Sequence, residues 1–285
     1  MNEAYCMNNV LPVTIRVRAG IFAVASAGTS AGCSPSRPIV DTGLKGRTVL
    51  VTGASRNLGS AAALAFAGEG ANLAICTSAK MKELNEVAEA ARKLGVKVVA
   101  EKCDVTDGPA VAAFVKKAQD QLGSVDVAVN IAGFRAESPF LEASFEEWTR
   151  AMEVNLTGPF HVCRNVLPLM IERKWGRVIN ISGISPYTGG GATKAMVKLG
   201  IVGFTRGLAR EFAPHNITAN CIGPGTIGRA EKDDHEGEKV VKASQPIRRK
   251  GRPEEVTALM LHLASENAGF TTGQCYLVNG GMYFQ

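Results

Sequence analysis

The chain has 285 residues, of which 46% are hydrophobic and 20% charged, so its composition is that of an ordinary globular protein with a sizeable core. The net charge is +6, but the basic residues are dispersed apart from a short cluster at 248–252, which argues against a nucleic-acid partner, and no apolar run is long enough to cross a membrane. Seven cysteines without a CxxC pair and four histidines without ligand spacing predict reduced thiols, no metal site and a cytoplasmic location.

The first 44 residues form a segment of their own. They contain few acidic residues, and Ala, Gly, Ser and Pro dominate from Ala19 to Pro38. Arg16 and Arg18 precede a weakly apolar stretch, as in a signal or transit peptide, but the apolar part is thin. We therefore interpret residues 1–44 as a disordered extension or an upstream start of translation.

From Arg47 onward, apolar β-rich runs alternate with helical stretches. Strands are predicted at 47–53, 71–77, 96–104, 125–133 and 176–183, and helices within 61–70, 80–93, 109–121, 145–171 and 198–211. This alternation predicts an α/β fold, a single Rossmann-type doubly wound parallel sheet with helices on both faces. No internal repeat or second core interrupts it, so residues 45–285 are predicted to form one domain.

A glycine-rich turn follows the first strand and opens the first helix. Glycine at position 53 permits a tight turn, and glycine at position 59 permits close packing of helix on strand. The helix N-terminus offers free N–H groups and a positive dipole end to a pyrophosphate. The residues expected to bind a nucleotide here are Gly53, Ser55, Arg56, Asn57, Leu58 and Gly59.

This turn resembles the TGxxxGxG fingerprint of the classical short-chain dehydrogenase/reductase family, and the chain is similar to its 3-oxoacyl-(acyl-carrier-protein) reductase-like members. Asn57 replaces the middle glycine, and asparagine tolerates left-handed backbone angles. In the family a carboxylate after the second strand usually holds the adenosine ribose of NAD, whereas Thr77 and Ser78 stand here. The missing carboxylate and the guanidinium of Arg56 favour NADP(H) over NAD(H), unless Arg56 is merely solvated.

Further matches to the family cover nearly the whole domain. They imply cofactor contacts at Asp104 and Val105 near the adenine, at Asn130, Ala132 and Gly133 after the fourth strand, and at Pro224, Gly225 and Ile227 beside the nicotinamide. Asn155, in EVNLTG, matches the active-site asparagine. The resemblance also implies a homotetramer or a homodimer.

The family's catalytic groups are only half present. The resemblance implies a tyrosine that transfers the proton, a lysine that lowers its pKa and holds the cofactor ribose, a serine that orients the carbonyl, and an asparagine that anchors a water. The run KLGIVGFTRGLARE fixes Lys198 as the lysine. The tyrosine position is then Lys194, and the serine position is Gly183.

Three neighbouring side chains are candidate substitutes. Tyr187 precedes a triple-glycine segment that could act as a hinge, and it stands seven residues before Lys194, as in the Tyr-x6-Lys spacing of enoyl reductases, although that register needs a four-residue shift. Ser185 shares the face of Gly183 if the strand runs that far. Lys194 lies one helical turn before Lys198, where like charges would depress one pKa; alternatively it is solvated or neutralises a 2′-phosphate.

These observations predict an NADP(H)-dependent oxidoreductase with an atypical catalytic centre that interconverts a ketone and a secondary alcohol of a small molecule. The alternative is a repurposed protein of the same fold. Such a protein would catalyse an isomerisation or dehydration, or would serve as a catalytically silent nucleotide-binding subunit. The charged stretch from Ala230 to Lys242 is interpreted as a mobile substrate lid.

Overall fold

A seven-stranded parallel sheet forms the centre of the structure, a computed structural model that describes residues 41–228 and 245–284. The strands run in the order β3-β2-β1-β4-β5-β6-β7, and every neighbouring pair is parallel. The strands are β1 (Thr48–Thr52), β2 (Asn72–Thr77), β3 (Val98–Lys102), β4 (Val127–Asn130), β5 (Gly176–Ile181), β6 (Ile217–Pro224) and β7 (Cys275–Val278). The predicted doubly wound α/β fold is confirmed.

Helices cover both faces of this sheet. They are α1 (Asn57–Gly68), α2 (Met81–Lys93), α3 (Gly108–Leu122), α4 (Phe145–Met152), α5 (Gly158–Arg173), α6 (Ser185–Thr188), α7 (Ala192–Phe212) and α8 (Pro253–Ala264), with short 3-10 segments at Ala213–His215 and Glu266–Ala268. Among the described residues, no helix is long and apolar enough to cross a membrane.

Alternating side chains of the central strand join the two halves of the core. Val49 and Val51 pack with α1, α2 and α8 on one face, whereas Leu50 packs with α3 and α5 on the other. Strand β1 pairs with β2 on one side and with β4 on the other, so the winding direction reverses there. In open parallel sheets the crevice at such a reversal, beyond the carboxyl ends of the strands, is where ligands bind.

The compact unit of the chain begins before residue 45. Residues from Asp41 onward form one compact unit; the side chain of Leu44 is fully buried in the core, and the Thr42 hydroxyl donates to Glu69 at 2.7 Å. Leu44, which the sequence analysis places in the extension, thus contributes to the core, and the boundary at residue 45 remains a prediction. The predicted extension up to residue 40 and the predicted lid lie outside the described residues.

The long helix predicted from Phe145 to Ile171 is not one regular helix. Helices α4 and α5 are joined by a π-helical turn, Glu153–Thr157. Within it, the side-chain amide of Asn155 donates to the carbonyl of Ala151 at 2.9 Å. Single π turns of this kind are frequent at functional sites.

Candidate active site

A cleft of about 580 Å³ opens at the carboxyl edge of the sheet, at the point where the winding reverses. This volume suits a small-molecule ligand. Twelve of the sequence-predicted residues line it: Gly53, Ser55, Arg56, Asn57, Leu58, Gly59, Thr77, Ser78, Asp104, Val105, Ala132 and Gly133. Most of the predicted nucleotide site is thus brought together in one place.

The turn between β1 and α1 has the backbone expected of a phosphate cradle. A Cβ on Gly59 would lie 2.1 Å from the carbonyl oxygen of Gly53, so only glycine fits there. Asn57 adopts φ of +50°, the left-handed conformation that asparagine was expected to tolerate. The Arg56 side chain does not cap α1, which leaves the first N–H groups of that helix for a ligand.

The cleft is predominantly basic. Arg56, Lys80, Arg135 and Arg150 line it, and Asp104 is the one acidic lining residue among the described part of the chain. Arg150 lies 3.0 Å from the Asp104 carboxylate. Burial opposes ionisation of Asp104, but hydrogen bonds from Thr106 and Arg150 outweigh it and lower its pKa.

Three of these cations were missed by the sequence analysis. Lys80, Arg135 and Arg150 stand outside the recognised motifs, and a signal existed only for Lys80, which follows the end of β2 by three residues. There the Thr77 hydroxyl accepts a hydrogen bond from the Lys80 backbone at 3.4 Å and lies 3.3 Å from the Ser55 hydroxyl. The end of β2 therefore presents hydroxyls and Lys80 to the cleft. Lys80 also lies 3.5 Å from the Glu83 carboxylate, which does not line the cleft.

Asn130 does not line the described cleft, and its predicted cofactor contact remains a prediction. The side chain is buried, and its amide donates to Asn180 at 2.8 Å. Asn180 donates in turn to the Thr205 hydroxyl on α7 at 2.9 Å. Asn130 thus ties the end of β4 to β5 and α7, because its side chain points into the sheet's interior rather than to the strand end.

Asn155 and Lys198 meet at Gly133, at the end of β4. A Cβ on Gly133 would lie 3.3 Å from Asn155 Oδ1 and 3.9 Å from Lys198 Nζ. The Asn155 amide donates to the carbonyl of Phe134 at 2.8 Å, while its buried Oδ1 has no hydrogen-bond partner among the described residues. Lys198 donates to the carbonyl of Ile181 at 3.1 Å. Two of the predicted catalytic groups are therefore adjacent and next to the cleft.

Burial and nearby cations lower the pKa of Lys198 to about 8. Burial has the largest effect; Cys221 opposes it, and the charges of Lys194 and Arg135 add to the lowering. Of the two lysines, Lys198 is the one whose pKa is lowered. The positive charge of Lys194, one helical turn away, contributes less to this than burial does. Lys194 lies in the first turn of α7 and is partly buried.

Gly183, which the resemblance places at the serine position, is sterically open. A Cβ on Gly183 would have nothing within 4 Å, so a serine fits there without rearrangement. Ser182 cannot replace it, because its hydroxyl donates to the carbonyl of Lys198 at 2.6 Å.

The condition on which Ser185 was expected to share the face of Gly183 is not met, and a catalytic role for Ser185 remains a prediction. Strand β5 ends at Ile181, and Ser185 begins the short helix α6, so alternation along the strand does not apply to it. Its hydroxyl is buried and lacks a hydrogen-bond partner among the described residues.

Tyr187 is not brought into the cleft either. Its ring stacks on Tyr283 with centroids 5.3 Å apart, and its buried hydroxyl makes no hydrogen bond of ordinary geometry within the described part of the chain. Burial, together with the neighbouring Cys275 thiol, raises the pKa of Tyr187 well above its usual range.

The segment after β6 lies at the same edge of the sheet but does not line the described cleft. Pro224 ends β6, and the Gly225 backbone donates to the carbonyl of Val278 at 2.9 Å. Ile227 forms a bridge with Gly251. The predicted nicotinamide contacts at Pro224, Gly225 and Ile227 remain a prediction.

Comparisons with known proteins agree with this geometry. Residues 53–283 match the family model described as enoyl-(acyl carrier protein) reductase. The chain is 35% identical over 247 residues to the 3-oxoacyl-(acyl-carrier-protein) reductase FabG of Aquifex aeolicus, which covers 84% of this chain and 98% of that protein. It is also 35% identical over 245 residues to nodulation protein G of Azospirillum brasilense, covering 84% and 99% respectively.

Solved structures with the same architecture include a putative short-chain alcohol dehydrogenase from Sinorhizobium meliloti. It has a TM-score of 0.78 and 32% identity, with 84% of this chain and 97% of that chain covered. The acetoin dehydrogenase YohF from Salmonella typhimurium has a TM-score of 0.77 and 30% identity, with 83% and 95% covered.

Proposed function

The chain belongs to the short-chain dehydrogenase/reductase family of oxidoreductases, and from this premise we propose that it is an NADP(H)-dependent enzyme that interconverts a ketone and a secondary alcohol. The observation that carries the proposal is the meeting of Lys198 and Asn155 at Gly133, beside a basic cleft with a phosphate-binding turn. The proposed substrate is a small molecule. A homodimer or homotetramer and a cytoplasmic location are further parts of the proposal.

The residues of the cleft fit a dinucleotide with a 2′-phosphate. A side chain at Gly59 would clash with the Gly53 carbonyl, so only the backbone of this turn can lie beside a pyrophosphate. The N-terminus of α1 attracts the negative charge of that group. Arg56 and Lys80 both line the cleft near the end of β2. No carboxylate lines this part of the cleft to accept hydrogen bonds from the ribose hydroxyls. These features support NADP(H) over NAD(H).

When bound, NADPH supplies the hydride, so the chain must supply the proton. By the family resemblance, Lys194 stands at the position of the tyrosine. The positive charge of Lys194 contributes to lowering the pKa of Lys198. We assign Lys194 as the ammonium that protonates the carbonyl oxygen, and Lys198 and Asn155 as the groups that hold the ribose and a relay water. Proton transfer of this kind contributes about 10²–10⁴ in rate.

A pair of fluorescence titrations tests the cofactor assignment. Purified protein should bind NADPH much more tightly than NADH, and Arg56→Gln should weaken NADPH binding about tenfold while changing NADH binding little, because a charged contact to a phosphate is worth about 1.5–3 kcal/mol. Equal binding of both nucleotides contradicts the preference, and the absence of any binding contradicts the oxidoreductase assignment.

Two variants test the proton donor. Lys194→Gln should lower turnover by about 10²-fold or more without weakening NADPH binding. Tyr187→Phe should leave turnover unchanged, because the ring is stacked on Tyr283 and the hydroxyl is buried. Loss of turnover in Tyr187→Phe with full activity in Lys194→Gln would reverse the assignment.

A second candidate function is a non-redox step, such as an isomerisation or dehydration, or a catalytically silent nucleotide-binding subunit. The open space at Gly183 and the buried phenol of Tyr187 favour it, since neither usual partner of the substrate oxygen is in place. Tight NADPH binding without hydride exchange, tested with 4-deuterated NADPH and a panel of ketones, would favour this candidate.

A further inference from the structure

Three cationic side chains stand on the two segments that meet at Gly133. Lys198 Nζ lies 3.9 Å from a Cβ placed on Gly133, and Lys194 precedes Lys198 by one turn of α7 on the same helical face. Arg135 follows Gly133 by two residues and lines the cleft. Both Lys194 and Arg135 lie close enough to Lys198 for their charges to act on it.

Within residues 41–228 and 245–284, Glu137 is the one carboxylate that forms an ion pair with any of these three cations. Asp104, the one acid lining the cleft there, is paired with Arg150 at 3.0 Å. Arg135 has Glu137 at 3.6 Å, but both side chains are about three-quarters exposed, at 73% and 74%. An ion pair so exposed contributes little, so it leaves the Arg135 guanidinium free to bind something else.

Like charges that share a site repel one another unless a ligand brings negative charge. Water screens this repulsion least at Lys194 and Lys198, which are partly buried, and the charges of Lys194 and Arg135 both act on Lys198. A neutral ketone entering here would displace water from the cations without replacing its hydrogen bonds. An anionic ligand instead replaces the hydrogen bonds of the displaced water with charge-assisted ones. Among anions, a carboxylate matches the planar guanidinium of an arginine, which can donate two parallel hydrogen bonds to it.

We propose that the substrate of this site is an oxo acid, with a carboxylate close to the reacting carbonyl that is bound by Arg135 and attracted by Lys194. The inference rests on the proposed function and deepens it, because it names the substrate class. Arg135 is then a substrate-binding residue that decides specificity, while Lys194 remains the proton donor.

Matched acid and ester pairs test the proposal. At saturating NADPH, so that the cofactor's own phosphates are already bound, kcat/KM is measured for acetoacetate against methyl acetoacetate and for 2-oxobutanoate against its methyl ester. At least one acid should exceed its ester by about tenfold or more, the value of one charge-assisted hydrogen bond. Arg135→Gln should bring that ratio close to one. Arg210→Gln, an exposed arginine in the last turn of the same helix α7, should leave the ratio unchanged.

A binding measurement separates failure of this inference from failure of the proposed function. If esters are reduced as well as acids, the substrate class is wrong and the oxidoreductase assignment stands. If no compound is reduced, calorimetric titration of the NADPH complex with acetoacetate and 2-oxobutanoate tests whether the site still binds oxo acids. Binding that Arg135→Gln weakens about tenfold supports the anion site without redox chemistry. No binding of either acid overturns the anion site as well.

Discussion

Replacing Lys198 by methionine should stabilise the fold while it removes activity. The Lys198 ammonium lies beside Gly133 with one hydrogen bond, to the Ile181 carbonyl, and its pKa falls from an ordinary 10.5 to about 8, chiefly through burial. A folded-state pKa below the unfolded value means that the protonated form is destabilised by folding. Methionine has a similar length and no charge, so it removes that penalty.

The magnitude follows from the shift. A depression of roughly 2.5 pKa units at about 1.36 kcal/mol each corresponds to about 3 kcal/mol of destabilisation below pH 8. Losing the hydrogen bond to Ile181 offsets about 1 kcal/mol of this. At pH 7 the free energy of unfolding of Lys198→Met should therefore exceed that of the wild type by about 2 kcal/mol.

The sign of the pH dependence gives an independent check. Between pH 8 and about 10.5 the unfolded state holds a proton that the folded state has released, so wild-type stability rises with pH across this window. The difference in free energy of unfolding between Lys198→Met and the wild type should shrink over the same interval. Because the other titrating groups are the same in both proteins, their contributions cancel in this difference.

Urea unfolding at pH 7, 8, 9 and 10 measures both quantities. Lys93→Met, an exposed lysine at the end of α2, is the matched control and should change stability by less than about 0.5 kcal/mol. A Lys198→Met variant that is less stable than wild type at pH 7, or a difference that does not vary with pH, would refute the reasoning about burial.

Three further results are expected. Gly59→Ala should abolish NADPH binding in a fluorescence titration, because the added Cβ would lie 2.1 Å from the carbonyl oxygen of Gly53. Gly68→Ala, at the other end of α1, is the control and should bind normally, because its Cβ would have nothing within 4 Å. Equal binding by both variants contradicts the proposal that this turn holds the phosphates. The double variant Gly183→Ser/Lys194→Tyr should reduce neutral ketones with NADPH at least tenfold faster than wild type, since the space for the serine is open, and no gain would show that more than these two groups is missing. Iodoacetamide should label Cys275 before the fully buried cysteines, because a hydrogen bond from Cys221 lowers its thiol pKa; peptide mass spectrometry across pH 6–9 checks the order.

The sequence determined the fold and the geometry of the glycine-rich turn after β1 because both rest on local patterns. Alternating apolar strands and amphipathic helices are readable over windows of ten residues, and the right-handed crossover rule leaves few topologies. The glycine at position 59 and the left-handed Asn57 follow from backbone sterics of a single turn, which the sequence states directly. The register of the family resemblance also predicts which two catalytic groups are replaced, at Gly183 and Lys194.

Tertiary structure decided which side chains reach the site. Strand β5 ends at Ile181 rather than continuing to Ser185, and the stacking of Tyr187 on Tyr283 depends on a residue almost one hundred positions away. The basic character of the cleft arises because the ends of separate elements carry Lys80, Arg135 and Arg150 to one edge of the sheet. The charge environment of Lys198 likewise depends on burial by distant segments, and burial is a sum over long-range contacts that no local window of sequence contains.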